Sequence, residues 1–284
     1  MEMESVYPGL LVDMRINKST QLCISIASNP GDFGARFHNM AYKALDLNWV
    51  YKPFKVDSIL KLERAINGVR ALGIRGCSVS MPYKEEVIQY LDDLDISAEK
   101  TRAVNTIKLY ENSTLRGFNT DYYGAKRAIG KIDIQNKEVF MIGAGGVAKA
   151  LSLAVKELGG SLTISNRTFS RARDLGEKLK ANIVSWEKVK NATGYLLINT
   201  TSVGMKDPAA MIVSKDVISN FDVVMDVVIY PANTRLLATA KELGKQLIPG
   251  TSMCVYQAAE QFKIYTGVDV PENVIKSTLK KFNK

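Results

Sequence analysis

Gly143, Ala144, Gly145 and Gly146 stand between the apolar run 138–142 and a helix-like stretch from Val147 to Leu158. A dinucleotide pyrophosphate needs backbone N–H groups at a helix N-terminus, and side chains on the loop would hold the phosphates away. The spacing fits G-x-G-x-x-G/A: Gly143 makes the tight turn, Gly145 lets the backbone approach, and Ala148 packs the helix on the strand, with Val147 between them. A bare glycine turn also joins many strands to many helices, so the end of the next strand decides the reading. Residues 161–165 read as that strand, and an NAD site would carry Asp or Glu at its end, where the ribose hydroxyls lie. This chain has Asn166, Arg167 and Thr168 there, with Arg171 and Arg173 just beyond. A guanidinium suits a 2′-phosphate, because its planar fork makes charge-assisted bonds to phosphate oxygens. The expected cofactor is therefore NADP(H). Decoration of the solvated face of the helix 168–180 suits Arg173 better than Arg167.

Hydride leaves a carbinol carbon only as the hydroxyl proton departs, so a proton-exchanging group must sit at that oxygen. The chain has one histidine, His38, in an amphipathic helical pattern that favours packing or capping. Lysine remains as the candidate residue type. Cys23, Cys77 and Cys254 are widely separated in apolar segments, giving neither a disulfide framework nor metal-ligand spacing. Buried thiols and no metal are expected.

These groups need a frame, and strand-like and helix-like segments alternate from the start. Strands are expected over 21–27, 49–54 and 76–80, with helices around 35–45, 58–72 and after Pro82. Residues 103–110 and 114–118 read as a hairpin, and 121–129 as a helix leading into the glycine turn. Further strands are expected at 182–184, 195–198 and 223–228, then helices over 251–265 and 271–282 that pack back on the first lobe. The fold class is α/β in two lobes.

Several segments outside the glycine turn resemble the shikimate dehydrogenase family. They are Ser78 to Glu86 (SVSMPYKEE), Ala103-Val104-Asn105-Thr106, Gly117-Phe118-Asn119-Thr120-Asp121, Asn166-Arg167-Thr168, and Met253 with Gln257. The resemblance runs from about residue 21 to about residue 280. It implies a substrate-binding and catalytic lobe over 1–120 plus 250–284 and a Rossmann-type NADP-binding lobe over 121–249, with a deep cleft between them. It also implies oxidation of a cyclic hydroxy acid such as shikimate, or reduction of its 3-dehydro ketone. Lys84 matches the family's catalytic lysine and Asp121 its partner. Taken alone, Lys84 also reads as a surface lysine paired with Glu85 or Glu86, and Asp121 as a helix N-cap.

By the same resemblance Ser80, Asn105, Gln257 and Tyr230 fall on the substrate side. Asn105 would bind a ring hydroxyl as donor and acceptor, or else close the hairpin as a buried amide. Thr200, Ser202, Gly250 and Met253 fall on the cofactor side, and Met253 reads equally as a core residue. The chain departs from the family where two serines bind the substrate carboxylate, since those positions hold Asp32 and Gly34. Two lost hydrogen bonds to a charged group cost roughly 1.5–3 kcal/mol each, and a carboxylate repels another. Weak binding of shikimate is expected unless Arg36 or Ser28 compensates. A protein that keeps the NADP(H) site for regulation with little catalysis is the alternative.

The 284 residues allow two domains, and a 46% hydrophobic, 24% charged composition is globular. The net charge of +9 is scattered among acids, which suits steering of anionic ligands rather than nucleic acid. The start Met1-Glu2-Met3-Glu4 lacks the basic flank and apolar core of a signal peptide, and no membrane span is apparent in the sequence. A cytoplasmic monomer or homodimer is expected.

Overall fold

The structure, a computed structural model, describes residues 16–282. Met1–Glu4 and the rest of the first fifteen residues of the expected first lobe lie outside the described residues, as do residues 283–284. The first sheet is assembled from β1 (Gln21–Ala27), α1 (Phe33–Ala44), β2 (Trp49–Lys55), α2 (Ile59–Ala71) and β3 (Gly76–Val79). The two-residue β4 (Asp93–Leu94) and α3 (Ile96–Thr101) come next, then the hairpin β5 (Thr106–Leu109) and β6 (Leu115–Phe118). Its order is β2-β1-β3-β5-β6-β4, with β1, β2 and β3 parallel and β5 antiparallel to both neighbours. Both faces of this sheet are covered. Ile24 and Ile26 of β1 meet Leu62, Ile66 and Val69 of α2, a set at helical spacing, while Cys23 faces Phe37 and Ala41 of α1.

From α4 (Thr120–Ile129) the chain enters a second sheet made of β7 (Glu138–Ile142), α5 (Gly146–Glu157), β8 (Ser161–Ser165), α6 (Phe169–Leu179) and β9 (Asn182–Val184). It continues with β10 (Leu196–Asn199), α7 (Lys215–Ser219), β11 (Val223–Asp226), α8 (Arg235–Glu242) and β12 (Gln246–Pro249). The order β12-β11-β10-β7-β8-β9 is parallel throughout, a doubly wound sheet whose winding reverses between β7 and β10. β10 and β11 are buried along their whole length, as strands covered by helices on both faces must be. Then α9 (Gly250–Thr266) and α10 (Glu272–Phe282) return the chain to the first sheet, where Phe262 and Tyr265 pack with Cys23, Phe37 and Tyr42.

Two local readings differ from the sequence expectation. The segment after Pro82 is a succession of turns ending in a short 3₁₀ turn at Glu86–Tyr90, not an α-helix. Tertiary bonds claim its backbone: the Lys84 carbonyl accepts from Val104 N–H at 2.7 Å, and the Tyr83 hydroxyl donates to the Val56 carbonyl at 2.8 Å. The N-cap of α4 is Asn119, whose side chain accepts from Tyr122 N–H, so Asp121 lies inside the first turn with its carboxylate available for another partner. The strands β4 and β12 and the helices α3, α7 and α8 are not legible in the pattern, being short or poorly periodic.

Candidate active site

The glycine turn stands at the C-terminal end of β7, beside the point where the winding reverses. Gly143 has φ +116°, and a Cβ there would run into Thr200 Oγ1, so glycine is required. Thr200 in turn braces the turn, its N–H and hydroxyl bonding the Ile142 carbonyl at 2.8 and 2.9 Å. At Gly145 and Gly146 a Cβ would meet no protein atom within 4 Å, so the space in front of α5 is open. Lys149 N–H to the Gly145 carbonyl leads the helical bonds of α5, which leaves the amides of Gly146, Val147 and Ala148 without a helical acceptor. Ala144 is half-buried against the core and Ala148 is fully buried, fixing helix to strand. Unpaired amides at an open helix N-terminus are where an anion can be held.

At the end of β8, Asn166 donates to the Thr168 carbonyl at 2.8 Å and shapes the turn, while Arg167 and Arg171 are exposed and form no ion pair among the described residues. Arg173 instead lies within 4.0 Å of Asp174 and Glu177. The geometry thus separates the two arginines able to meet a phosphate from the one engaged with its own helix. Ser202 is exposed on the loop after β10. Gly250 begins α9, where a Cβ would strike the backbone of Val227 and Val228. Met253 is buried in the core cluster one turn further on.

On the opposite lobe Lys84 Nζ lies 2.6 Å from Asp121 Oδ2, with side chains 17% and 11% exposed. Lys84 therefore pairs with Asp121 across the sheet, and Glu85 is engaged elsewhere, by Lys149 of α5 at 2.6 Å. That second pair joins the Lys84 segment to the first turn of α5, which places the Lys84–Asp121 pair and the glycine turn on segments in direct contact. Asn105 organises the Asp121 side of the pair. Its Oδ1 accepts from Thr120 N–H at 2.8 Å and from the hydroxyls of Thr106 and Thr120 at 2.8 and 3.0 Å, fixing the start of α4. Three internal donors occupy that oxygen, so Asn105 presents only its amide N–H₂ to a ligand, not the donor and acceptor together.

Ser80 is exposed at the end of β3, and Gln257 is half-buried on α9. One turn beyond it Gln261, missed in the sequence although it sits at i+4, ties α9 to the sheet through Ser78 Oγ at 2.9 Å and Thr106 Oγ1 at 2.9 Å. Tyr230, 56% exposed, reaches toward the first lobe: burial raises its pKa, Arg36 opposes the shift, and Cys254 and Asp32 add to it. Cys254 itself is raised by burial and then by the nearby Asp121 carboxylate, so it stays a thiol beside the pair. The buried Asp226 was also missed. It accepts from Asn199 at 3.0 Å, Thr234 at 2.7 Å and Val228 N–H at 3.1 Å, and so holds the loops after β10 and β11 together.

Where a paired hydroxyl motif would lie, Asp32 and Gly34 begin α1. Asp32 is exposed and stands 4.0 Å from Arg36, so the guanidinium faces the acid of its own helix. A Cβ on Gly34 would lie 3.1–3.3 Å from the hydroxyl and ring of Tyr51, a buried residue stacked on His38 at 4.5 Å. Tyr51 thus fills the space a side chain at 34 would need. Among the described residues no cluster of three or more His, Cys, Asp or Glu could hold a metal, and no helix is long and apolar enough to cross a membrane.

A doubly wound dinucleotide lobe facing a lysine–carboxylate pair defines an oxidoreductase class, and comparison with known proteins specifies it. Residues 33–107 match the shikimate dehydrogenase substrate binding domain, 124–224 the shikimate/quinate 5-dehydrogenase family, and 250–280 the shikimate 5′-dehydrogenase C-terminal domain. A shikimate dehydrogenase-like protein of Haemophilus influenzae is 40% identical over 257 residues, 88% of this chain and 92% of that protein. The NADP(+) shikimate dehydrogenase of Methanothermobacter thermautotrophicus is 36% identical over 256 residues, covering 86% and 90%. A crystal structure of shikimate dehydrogenase in complex with NADP+ superposes with a TM-score of 0.86 at 32% identity, over 95% of this chain and 98% of the other. The chain belongs to the shikimate dehydrogenase family.

Proposed function

We propose that this protein is an NADP-dependent dehydrogenase that interconverts shikimate, or a related cyclic hydroxy acid, with its 3-dehydro ketone. The observation that carries the reading is the Lys84–Asp121 pair at 2.6 Å, joined to the dinucleotide cradle through Glu85 and Lys149. When bound, NADP+ supplies the hydride acceptor. The amides of Gly146, Val147 and Ala148 would hold its pyrophosphate, and Arg167 with Arg171 its 2′-phosphate. Lys84 exchanges the proton of the substrate hydroxyl, and Asp121 orients the ammonium and accepts a hydroxyl. Asn105 positions Asp121 through the start of α4 and donates its amide to a neighbouring ring hydroxyl.

The carboxylate wall differs. Asp32 offers negative charge where a substrate carboxylate would approach, and Gly34 offers no donor, so affinity for shikimate is expected to be low. Steady-state assays of a panel of cyclic hydroxy acids with NADP+ test the reading. Turnover on at least one of them, reduced about 10²–10⁴-fold by Lys84→Ala, is the expected result. NADP(H) binding with no Lys84-dependent turnover on any candidate would instead favour a regulatory role.

A further inference from the structure

A cavity of about 730 Å³ opens at the edge of the first sheet opposite the cleft. The parallel strands β1, β2 and β3 run toward Ser80 and Lys84, whereas the cavity is lined by Gln21 and Trp49, which begin β1 and β2, and by Arg75 just before β3. Five residues of extended chain separate Arg75 from Ser80, roughly 16 Å, so this is a place apart from the proposed site.

The charges in the cavity are unusual for a structural surface. Gly76 pairs with Lys108 in the β3–β5 ladder, and Leu109 N–H donates to the Arg75 carbonyl at 3.1 Å, so the two cations stand on adjacent strands at successive register positions and both line the cavity. Arg75 Nε donates to the neutral Gln21 Oε1 at 2.7 Å, and neither cation forms an ion pair among the described residues. Lys108 is half-buried, and burial, then the charge of Arg75, lowers its pKa. A third cation, Arg116, lines the same cavity and is engaged by Asp93 at 3.1 Å. Glu111 also lines it, exposed near the hairpin turn. Lys108 lies over the Tyr110 ring at 5.2 Å, and two like charges lining one cavity, with no carboxylate paired to either among the described residues, repel, a cost that an anion between them would offset. Trp49 and Tyr110 add flat apolar walls, the combination that binds a planar organic acid.

We propose that this cavity is a binding site for a small aryl anion, its carboxylate or phosphate held by Arg75 and Lys108 and its ring against Trp49 and Tyr110. The inference does not depend on the catalytic reading. The chain has two tryptophans, Trp49 and Trp186, so Trp186→Phe leaves Trp49 as the sole indole reporter. Titration of that variant at fixed ionic strength with phenyl phosphate and with benzoate is the test, and the tighter of the two identifies the headgroup. A saturable change in Trp49 emission is expected with one or both. It should weaken about tenfold or more in Lys108→Gln and in Arg75→Gln, persist in Lys108→Arg, and be unaffected by Lys84→Ala. Inorganic phosphate should bind more weakly than phenyl phosphate. No saturable change up to about 10 mM, a response that survives both glutamine variants, or equal binding of inorganic phosphate would overturn the proposal. Circular dichroism of each variant separates lost binding from lost fold.

Discussion

The cofactor and substrate sides of the proposed site, its two walls, are built by different means. The dinucleotide wall rests on backbone: a strand end, a turn with positive φ at Gly143, unpaired amides at the start of α5, and two exposed arginines. The substrate wall rests on side chains drawn from distant segments, in which Asn105 fixes α4, α4 presents Asp121, and Asp121 holds Lys84. Backbone geometry is set largely by local sequence, with Thr200 as a distant brace of the turn. A side-chain relay has no such independence, because each member sets the position of the next. Asp32 and Gly34 belong to the proposed substrate side, whereas the glycine turn has the backbone form that its spacing leads one to expect.

The largest effect that would test this contrast comes from Asp121→Asn. It keeps shape but removes the charge that orients Lys84, and it should lower kcat about 10²–10³-fold with NADP(H) affinity little changed. An equal loss in cofactor affinity would show that the walls are not separable. Next, Arg167→Gln should weaken NADP(H) by about 10–100-fold while NAD(H) changes little, since each charge-assisted bond to phosphate contributes about 1.5–3 kcal/mol. Fluorescence titration with both cofactors distinguishes this from a general loss of the turn, which would weaken both alike.

Legibility in the sequence divides along the same line. The glycine spacing and the absence of an acid after residues 161–165 are contiguous signals, and the α/β alternation with its return of the last helices is readable from periodicity. The partners of Lys84 are not. Spacing offers Glu85 and Glu86 beside it; the family resemblance alone points to Asp121, 37 residues away, and the fold shows the pair formed while Glu85 is taken by Lys149. The helix expected after Pro82 does not form for a related reason: Val104 uses the Lys84 carbonyl that an α-helix would need for itself. Asp226 and Gln261 carry no local motif, and their importance lies in the buried bonds they make.

His38 provides a smaller test, one of stability. It is wholly buried, and burial pushes its pKa down to about 3, with the bond to Gln261 opposing the shift. The unfolded chain takes up a proton on this histidine below about pH 6.5 and the folded one does not, so its contribution to stability is lost as pH falls. The slope is about 1.4 kcal/mol per pH unit through the window from about 6 down toward 3. Urea unfolding at about pH 7, 6 and 5 should show this slope in the wild type and its absence in His38→Gln. Asp226 and Glu260, raised by burial, act with the opposite sign in both proteins, so the difference between the two isolates His38. Parallel curves would mean that the imidazole takes up its proton as readily in the fold as in the unfolded chain.

The smallest expected effect bears most directly on residues 32 and 34 of the proposed substrate wall. If Gly34 and Tyr51 are a matched pair, restoring a hydroxyl with Gly34→Ser should not by itself restore a carboxylate site, because the new Cβ falls 3.1 Å from the Tyr51 hydroxyl. Tyr51 is held by its stack on His38 and cannot retreat cheaply, so the substitution should cost about 1 kcal/mol, or a fall in Tm of about 2–4 °C. Adding Tyr51→Phe removes the nearest atom, and the double variant should then be more stable than the sum of the single changes by a few tenths to about 1 kcal/mol. Strict additivity would mean that the site relaxes freely at residue 34. Asp32 would then be left as the sole obstacle, and Asp32→Ser with Gly34→Ser should lower the KM for shikimate without any change at Tyr51. A coupled pair predicts instead that the KM falls only when residues 32, 34 and 51 are changed together.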